Sequence, residues 1–508
     1  MNWIQSLLVK LLHIIPAMEK EITIKEAYTF QQNIMKNRIW YNGEPAELEQ
    51  FFKRYAVWGV NNTRFWSAVP NSQIRKIHSG IVSMVIDRYK DMVTSDITGI
   101  DFGEEGNVTP IKDLWEEIAE DNNFLDILSE AVQSALIAGD GAFKISTDEV
   151  SEYPIIQFYD MENVEYQYRY GRLEEIKYYT DYVKDKKGYR LQESYGHGYI
   201  HYKLYTDKGK ECNLKDLEET KHLTDIEFDG DFIMGVPFMI FKSTKWKGRG
   251  KALFDTKSDV LDALDEVISQ WLDAIRLGRI KRYIPEDLLP RDENTGEVMS
   301  ANPFDNDFLS LQSSMDEGGK KEVTISQPQI LYEAYVNSYT SYMDMVLQGI
   351  ISPSTLGIDL KKTDNAESQR EKEKITLHVR QKIIEAITET VPQLIEKVLM
   401  TNDILCGRYP GEYDAAIKFG EYASPDFDST VETVSKARTA SIMSIEKAVE
   451  ELYGDTMTDE EKEEEIKRLK EEQGIVEVEE QKVGDDLIDQ QNIINGDKNK
   501  LSSEGGQN

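Results

Sequence analysis

Two long stretches of helical period, separated by a short insert full of turn signals, constrain this chain more than any other feature. From Asp255 to Ile280, Val260, Leu261, Leu264, Val267, Ile268, Trp271, Leu272 and Ile275 fall on one stripe. Asp259, Asp262, Asp265, Glu266 and Asp273 occupy the rest of that helix surface. Such a helix is a rod of roughly 37 Å. A second rod, Leu331 to Gly349, spans roughly 28 Å. Its Tyr332, Tyr335, Tyr339, Tyr342, Met345 and Val346 are interleaved with the small Ala334, Ser338 and Ser341. The insert between them carries Pro285, Pro290, Pro303 and Pro328, with turns at Asn294-Thr295-Gly296 and Gly318-Gly319. A chain patterned this way runs out along one helix, builds a tip, and returns along the other. Arg276, Arg279, Lys281 and Arg282 cluster at the end of the first rod, where cations complement the helix dipole.

The flanking regions differ in character. Residues 20–140 read as mostly helical, with Glu47–Tyr55, Ile74–Val93 and Ile111–Ala138 in helical pattern. In the second of these, Ile77, Ile81, Met84, Val85, Arg88 and Met92 form the expected inner stripe. From Ala142 to Phe241 the period changes to two. Ile155–Tyr159, Val164–Tyr170, Glu174–Tyr182, Tyr189–Tyr195 and Tyr199–Tyr205 read as antiparallel hairpins. Thirteen of the 26 tyrosines lie between Tyr153 and Tyr205. Their surroundings are not basic enough for a nucleic-acid stacking platform, and tyrosine is a common two-faced strand residue, so they are read as structural strand residues.

After the second rod, Pro353 and Gly357 break the helix, and Ile350–Glu367 reads as a polar loop. A helix starts at Ser368, with a kink or restart expected near Thr390 because Pro392 lacks an amide donor. Asp414–Tyr422 reads as a strand. Three helices follow, near 429–440, 445–452 and 458–474, and the chain beyond Gly484 is expected to be disordered. The fold class is α+β, mainly helical and multi-domain.

The chain carries 59 Lys+Arg against 93 Asp+Glu, a net charge of −34, which argues against gripping nucleic acid through a basic surface. Two distant cysteines, Cys212 and Cys406, offer neither a disulfide framework nor a metal spacing. The apolar Trp3–Ile15 is too short to span a bilayer and lacks the features of a secretory signal. It is either a docking helix or one packed on its own domain or a neighbouring subunit. No membrane partner is expected. Gly248-Arg249-Gly250-Lys251-Ala252 is no phosphate loop: Lys245 stands where a glycine is needed, and Ala252 where Ser or Thr is needed. His197 and His201 are four apart, but in a strand-and-turn stretch that does not align them as metal ligands. No nucleophile elbow occurs. No catalytic residue, cofactor site or metal site is read, and the chain is not expected to be an enzyme.

Four stretches carry a family likeness. They are Arg38-Ile39-Trp40-Tyr41-Asn42-Gly43 with Leu48–Tyr55, Ile77-His78-Ser79-Gly80-Ile81 through Val93, Ser258-Asp259 with Leu261–Asp265, and Gly349 through Gly357. Their order and spacing resemble portal proteins of tailed bacteriophages, of the long-tailed group that infects Gram-positive bacteria. The likeness runs nearly the whole chain, leaving aside the apolar N-terminus and the acidic tail.

The resemblance implies a ring, expected as a dodecamer, at one capsid vertex, through which double-stranded DNA is packaged and later ejected. It implies a wing (1–255 and 366–422), stem helices (256–281 and 331–349), a clip (282–330), a tunnel loop (350–367) and a crown (423–475). The stem would include Asp259, Asp262, Asp265, Trp271, Tyr335, Tyr339 and Tyr342. The clip would present Arg291, Asp292, Glu293 and Asn294 to the terminase large subunit, and later to a head–tail connector. The tunnel loop would place Ser354, Thr355, Lys361, Lys362, Thr363, Asp364 and Asn365 near DNA. Major capsid and scaffolding proteins are further implied partners, with assembly in the host cytoplasm and a final place in the virion. Twelve such chains would total about −400 in charge, a wall that repels phosphate. A ring component of another machine, such as a baseplate or secretion channel, is the alternative class, and an enzyme without a recognisable motif is the third.

Overall fold

A computed structural model describes residues 28–55, 65–69, 74–103, 108–148, 150–278, 281–285, 291, 295–296, 308–311, 324–326, 329–358, 366–420, 427–440, 442–453 and 459–472. Helices account for about half of these residues, and the fold is α+β. The chain divides into two units, Met1–Gly420 and Glu421–Asn508.

The first unit opens with α1 (Phe30–Asn42), α2 (Pro45–Tyr55) and α3 (Ile81–Thr94). Thr29 and Gln32 form a capping box at the start of α1, and Gly43 in the left-handed region ends it. The buried face of α3 is Ile81, Val82, Val85, Ile86, Tyr89, Met92 and Val93. This corrects the expected stripe: Met84 and Arg88 are exposed, and Ile77 precedes the helix. The helix begins only after Gly80, whose φ of +67° lies in the left-handed region, and the N–H groups of Ile77 and Ser79 before it are taken up by side chains of another helix. A short strand, β1 (Ile97–Phe102), follows in a region expected to be helical. Then come α4 (Val108–Asp121) and α5 (Phe124–Ile137).

β2 (Asp140–Ser146) and β3 (Ile155–Asp160) join β10 (Gly235–Met239) in a three-stranded sheet of order β10-β2-β3. The hairpin run is β4 (Val164–Arg169), β5 (Arg172–Lys184), β6 (Lys187–Gly196) and β7 (Tyr199–Thr206), extended by the short β8 (Glu211–Cys212) and β9 (Ile226–Glu227). β2 is buried throughout Asp140–Ile145 although it carries two charges. Residues 140 and 144 share a strand face. Asp140 accepts from Arg249 Nε and Nη2 at 3.0 and 2.8 Å, and Lys144 pairs with Glu193 at 2.7 Å. Tyr166 and Tyr178 donate their hydroxyls to the carbonyls of Gly141 and Phe143, both at 2.6 Å, sealing the two sheets together. Burial raises both tyrosines well above their ordinary pKa.

After α6 (Ser258–Leu277) the strands β11 (Lys281–Pro285), β12 (Phe308–Leu311) and β13 (Thr324–Ser326) form a small sheet of order β12-β11-β13, with β11 parallel to β12. Then come α7 (Tyr332–Leu347) and the 40-residue α8 (Ala366–Leu405). α8 runs through Pro392 without the expected restart. Ile383, Ile387, Val391, Leu394, Ile395 and Val398 are fully buried around it. Their burial, worth roughly 1.5–3 kcal/mol each, outweighs the cost of about 3 kcal/mol for one interior proline. β14 (Ala415–Phe419) pairs antiparallel with β1.

The second unit contains α9 (Phe427–Thr439), α10 (Ile445–Tyr453) and α11 (Asp459–Glu472). Lys462 and Lys470 on α11 pair with Glu450 and Glu446 on α10 at 3.3 and 3.0 Å. The apolar N-terminal segment and the tail beyond Gly484 lie outside the described residues.

Candidate stem and loop region

The two rods read from the sequence are α6 and α7, each ending within a turn of the expected bounds at either end. They pack antiparallel. At one end Lys257 Nζ donates to the carbonyls of Met345 and Gln348, at 2.7 and 3.1 Å. These are among the last acceptors of α7, which a helix cannot satisfy internally. Burial lowers the pKa of Lys257. Further along, the Trp271 and Tyr335 rings lie 6.4 Å apart and nearly parallel, with Tyr332 on the Trp271 edge. At the far end a Cβ on Gly278 would sit 2.5 Å from Ile330 Cγ1. Glycine there lets the returning chain pass close. Tyr339 and Tyr342 are half-buried and pack on the main core.

The acidic face expected on α6 is not uniformly a solvent face. Asp259 is exposed, but Asp262 and Asp265 are buried. Asp262 accepts the N–H groups of Trp66 and Ser67 at 2.5 and 2.9 Å. Asp265 accepts the N–H of Ser79 at 2.9 Å and lies 2.7 Å from His78 Nδ1. Ser269 Oγ accepts from Ile77 N at 2.9 Å. Residues 262, 265 and 269 are i, i+3 and i+7, one face of a helix. That face takes up backbone donors of a short 3-10 turn (Trp66–Ala68) and of the segment before α3. Burial raises the Asp262 pKa, against the N–H bonds of Ser67 and Trp66, which hold it down. Just before the helix, Asp255 accepts from Asn33 and Asn37 at 2.6 and 3.2 Å, and Lys36 lies 3.5 Å away. The base of α6 is thus tied to α1 and to the segments flanking α2 and α3.

After α7 the chain is pinned again. Tyr89 donates its hydroxyl to Ile350 O at 2.7 Å, and Ser352 N donates to Thr376 Oγ1 at 2.8 Å. Ser354 is exposed, with its Oγ 2.7 Å from Ser352 Oγ; Thr355 Oγ1 lies 3.4 Å from Thr376 Oγ1. Arg380 is held on Asp96 by bonds of 3.1 and 2.5 Å. Lys361, Lys362, Thr363, Asp364 and Asn365 lie outside the described residues, as do Asp292, Glu293 and Asn294. Arg291 is exposed and donates to Gly296 O at 3.2 Å.

Sequence reasoning missed a second anchoring centre. Arg249, in the glycine-rich string dismissed as a phosphate loop, fills Asp140 with two bonds and donates to the Val164 and Met161 carbonyls at 2.8 and 2.7 Å. Its guanidinium lies over Phe30 and Tyr166. A Cβ on Gly250 would collide with the Gly139 carbonyl. The Gly-Arg-Gly spacing was the available signal: a planar donor between residues that allow close backbone approach.

Among the described residues no cluster of His, Cys, Asp and Glu has metal-binding geometry. His197 lies 3.0 Å from Asp231, whereas His201 stacks on Tyr199. No described helix is long and apolar enough to cross a membrane. What the region offers is a braced helix pair leading to a small sheet, with the chain after the pair fixed at Ile350–Thr355.

Residues 22–476 match the family described as phage portal protein, SPP1 Gp6-like, and the chain belongs to that family. It functions as a phage portal, the head–tail connector through which the genome passes. No curated protein matches the chain with significance.

Proposed function

We propose that this portal works as a dodecameric ring in which α6 and α7 form the stem. In this reading the β11–β13 sheet is the clip, Ile350–Glu367 the tunnel loop, and the second unit the crown. The remainder of the first unit is the wing. The clip faces the terminase during packaging and a head–tail connector afterwards, in a long-tailed phage of a Gram-positive host. The observation that carries the reading is the antiparallel α6–α7 pair with a sheet inserted at its far end. That arrangement carries a contact surface at the far end of a helix about 30 Å long whose base is packed into the unit's body. The net charge of −34 suits a wall that DNA slides past without adhering. Lys361 and Lys362 make transient phosphate contacts within that wall. Negative-stain imaging of the full chain tests the assembly: rings with a central hole and a narrow stalk are expected, and a compact monomer overturns it. Lys361→Ala with Lys362→Ala is expected to reduce DNA packaging while rings still assemble; unchanged packaging overturns the role of the loop.

A further inference from the structure

The tip of the β4–β5 hairpin is unusual in its chemistry. Arg169 pairs with Arg172, leaving Tyr170 and Gly171 as a two-residue turn with φ of +52° and +82°. Turns of this kind favour Asn, Asp or Gly at the first position, because a side chain with φ above zero is strained. Here the position holds a tyrosine that is 95% exposed. No described part of the chain covers its ring beyond Arg169, whose guanidinium lies 5.7 Å from the ring centroid. Arg169 also pairs loosely with Glu174 at 3.5 Å, and Arg172 is exposed. Tyrosine and arginine are the residue types that dominate interface anchors.

A complementary surface exists elsewhere in the same unit. β1 pairs only with β14 among the described strands, so one of its edges carries no strand. Ile97–Ile100 line a groove of about 570 Å³ against α4 and α5. Its floor includes the buried Trp115, and its rim includes Leu125, which is 60% exposed. Around it stand the exposed Glu116, Glu120 and Asp126, with one opposing charge, Lys112, 3.8 Å from Glu116. The groove is therefore apolar at its base, acidic at its rim, and flanked by a free strand edge able to hydrogen-bond an incoming backbone.

We infer that the Tyr170 hairpin tip of one subunit docks into the β1–α4–α5 groove of the next subunit in the ring. A closed ring needs two different, complementary patches on each subunit. An aromatic anchor flanked by two arginines matches an apolar groove flanked by three carboxylates. The contact also accounts for the strained tyrosine: its conformation projects the ring outward, where a neighbour can bury it. The inference rests on the ring reading above and adds to it a named contact.

Cross-linking tests it in the full-length protein. Cys212→Ser and Cys406→Ser remove the only two native cysteines. Imaging this parent comes first: absence of rings overturns the ring reading itself. Tyr170→Cys with Leu125→Cys is then added, and assembled rings are mildly oxidised. A covalent ladder of multimers on denaturing gels is expected, and chains carrying one cysteine each should give dimers only when the two kinds are mixed. Intact rings that run as monomers, or that link only within one chain, overturn the docking. A charge exchange decides the matter should the cysteines hinder assembly. Arg169→Glu with Arg172→Glu should raise the concentration needed for ring formation about tenfold or more. Glu116→Arg with Glu120→Arg should restore it when combined. Failure of that rescue, with each variant folded by circular dichroism, overturns the proposal.

Discussion

Individual side chains in this portal matter most where a charge is buried beside a backbone donor. Asp262 and Asp265 are such residues, each accepting N–H groups from segments nearly two hundred positions away. Removing either carboxylate strands those donors away from water. Asp262→Ala and Asp265→Ala should each destabilise by about 2–3 kcal/mol, and Asp259→Ala by less than about 0.5 kcal/mol, in urea unfolding. Lys397 makes the converse case. Burial depresses its pKa to about 8, with Gly235 O at 3.0 Å as its acceptor. Between pH 8 and the ordinary lysine range, the unfolded chain holds a proton that the folded chain has released. Stability from this group therefore rises with pH across that window. Lys397→Met removes the titration. Thermal melts should show the variant's advantage over the parent largest below pH 8 and shrinking toward pH 10. A constant difference across that range would contradict the assignment.

At the scale of elements, most helices and hairpins were legible because their periods were clean. The five segments expected as a hairpin run appear as β3 to β7 within a residue or two of the expected ends, although β3 pairs with β2 in the other sheet and only β4 to β7 form the run, and the three C-terminal helices likewise. β1 was missed because Ile97–Phe102 is too short to declare a period, and its pairing partner lies three hundred residues away. Of the kink or restart expected near Thr390, the restart does not occur: burial on α8 carries the helix through Pro392. Gly248-Arg249-Gly250 shows the same limit in reverse: the sequence excluded one function but did not display the partner, Asp140, that explains it. Gly250→Ala should destabilise by about 3 kcal/mol or more, because the Gly139 backbone cannot retreat. Loss of soluble full-length protein, or a melting point lowered by several degrees, is the expected readout; an unchanged melting point would refute the close approach.

At the scale of the whole molecule, the charge balance and the order of parts guided the reading better than any site. A net charge of −34 first argued against nucleic-acid binding, and membership of the portal family sharpens it. A conduit meets DNA without holding it. If acidic walls keep DNA mobile, replacing exposed acids of α6 such as Asp259, a stem residue in the proposed reading, with lysine should slow packaging and make it more sensitive to low salt. Packaging assays across ionic strength check this, and equal salt dependence in parent and variant would refute it.

The sequence by itself determined the rods, the hairpin run and the absence of a recognisable catalytic motif, because each depends on residue spacing along the chain. It also carried the family likeness, through motifs whose order survives in one dimension. Only the tertiary structure decided which acids of α6 are buried, what Arg249 binds, and where Pro392 is tolerated. Those outcomes depend on partners distant in sequence, and the free energy of a buried polar group is set by the donor that reaches it.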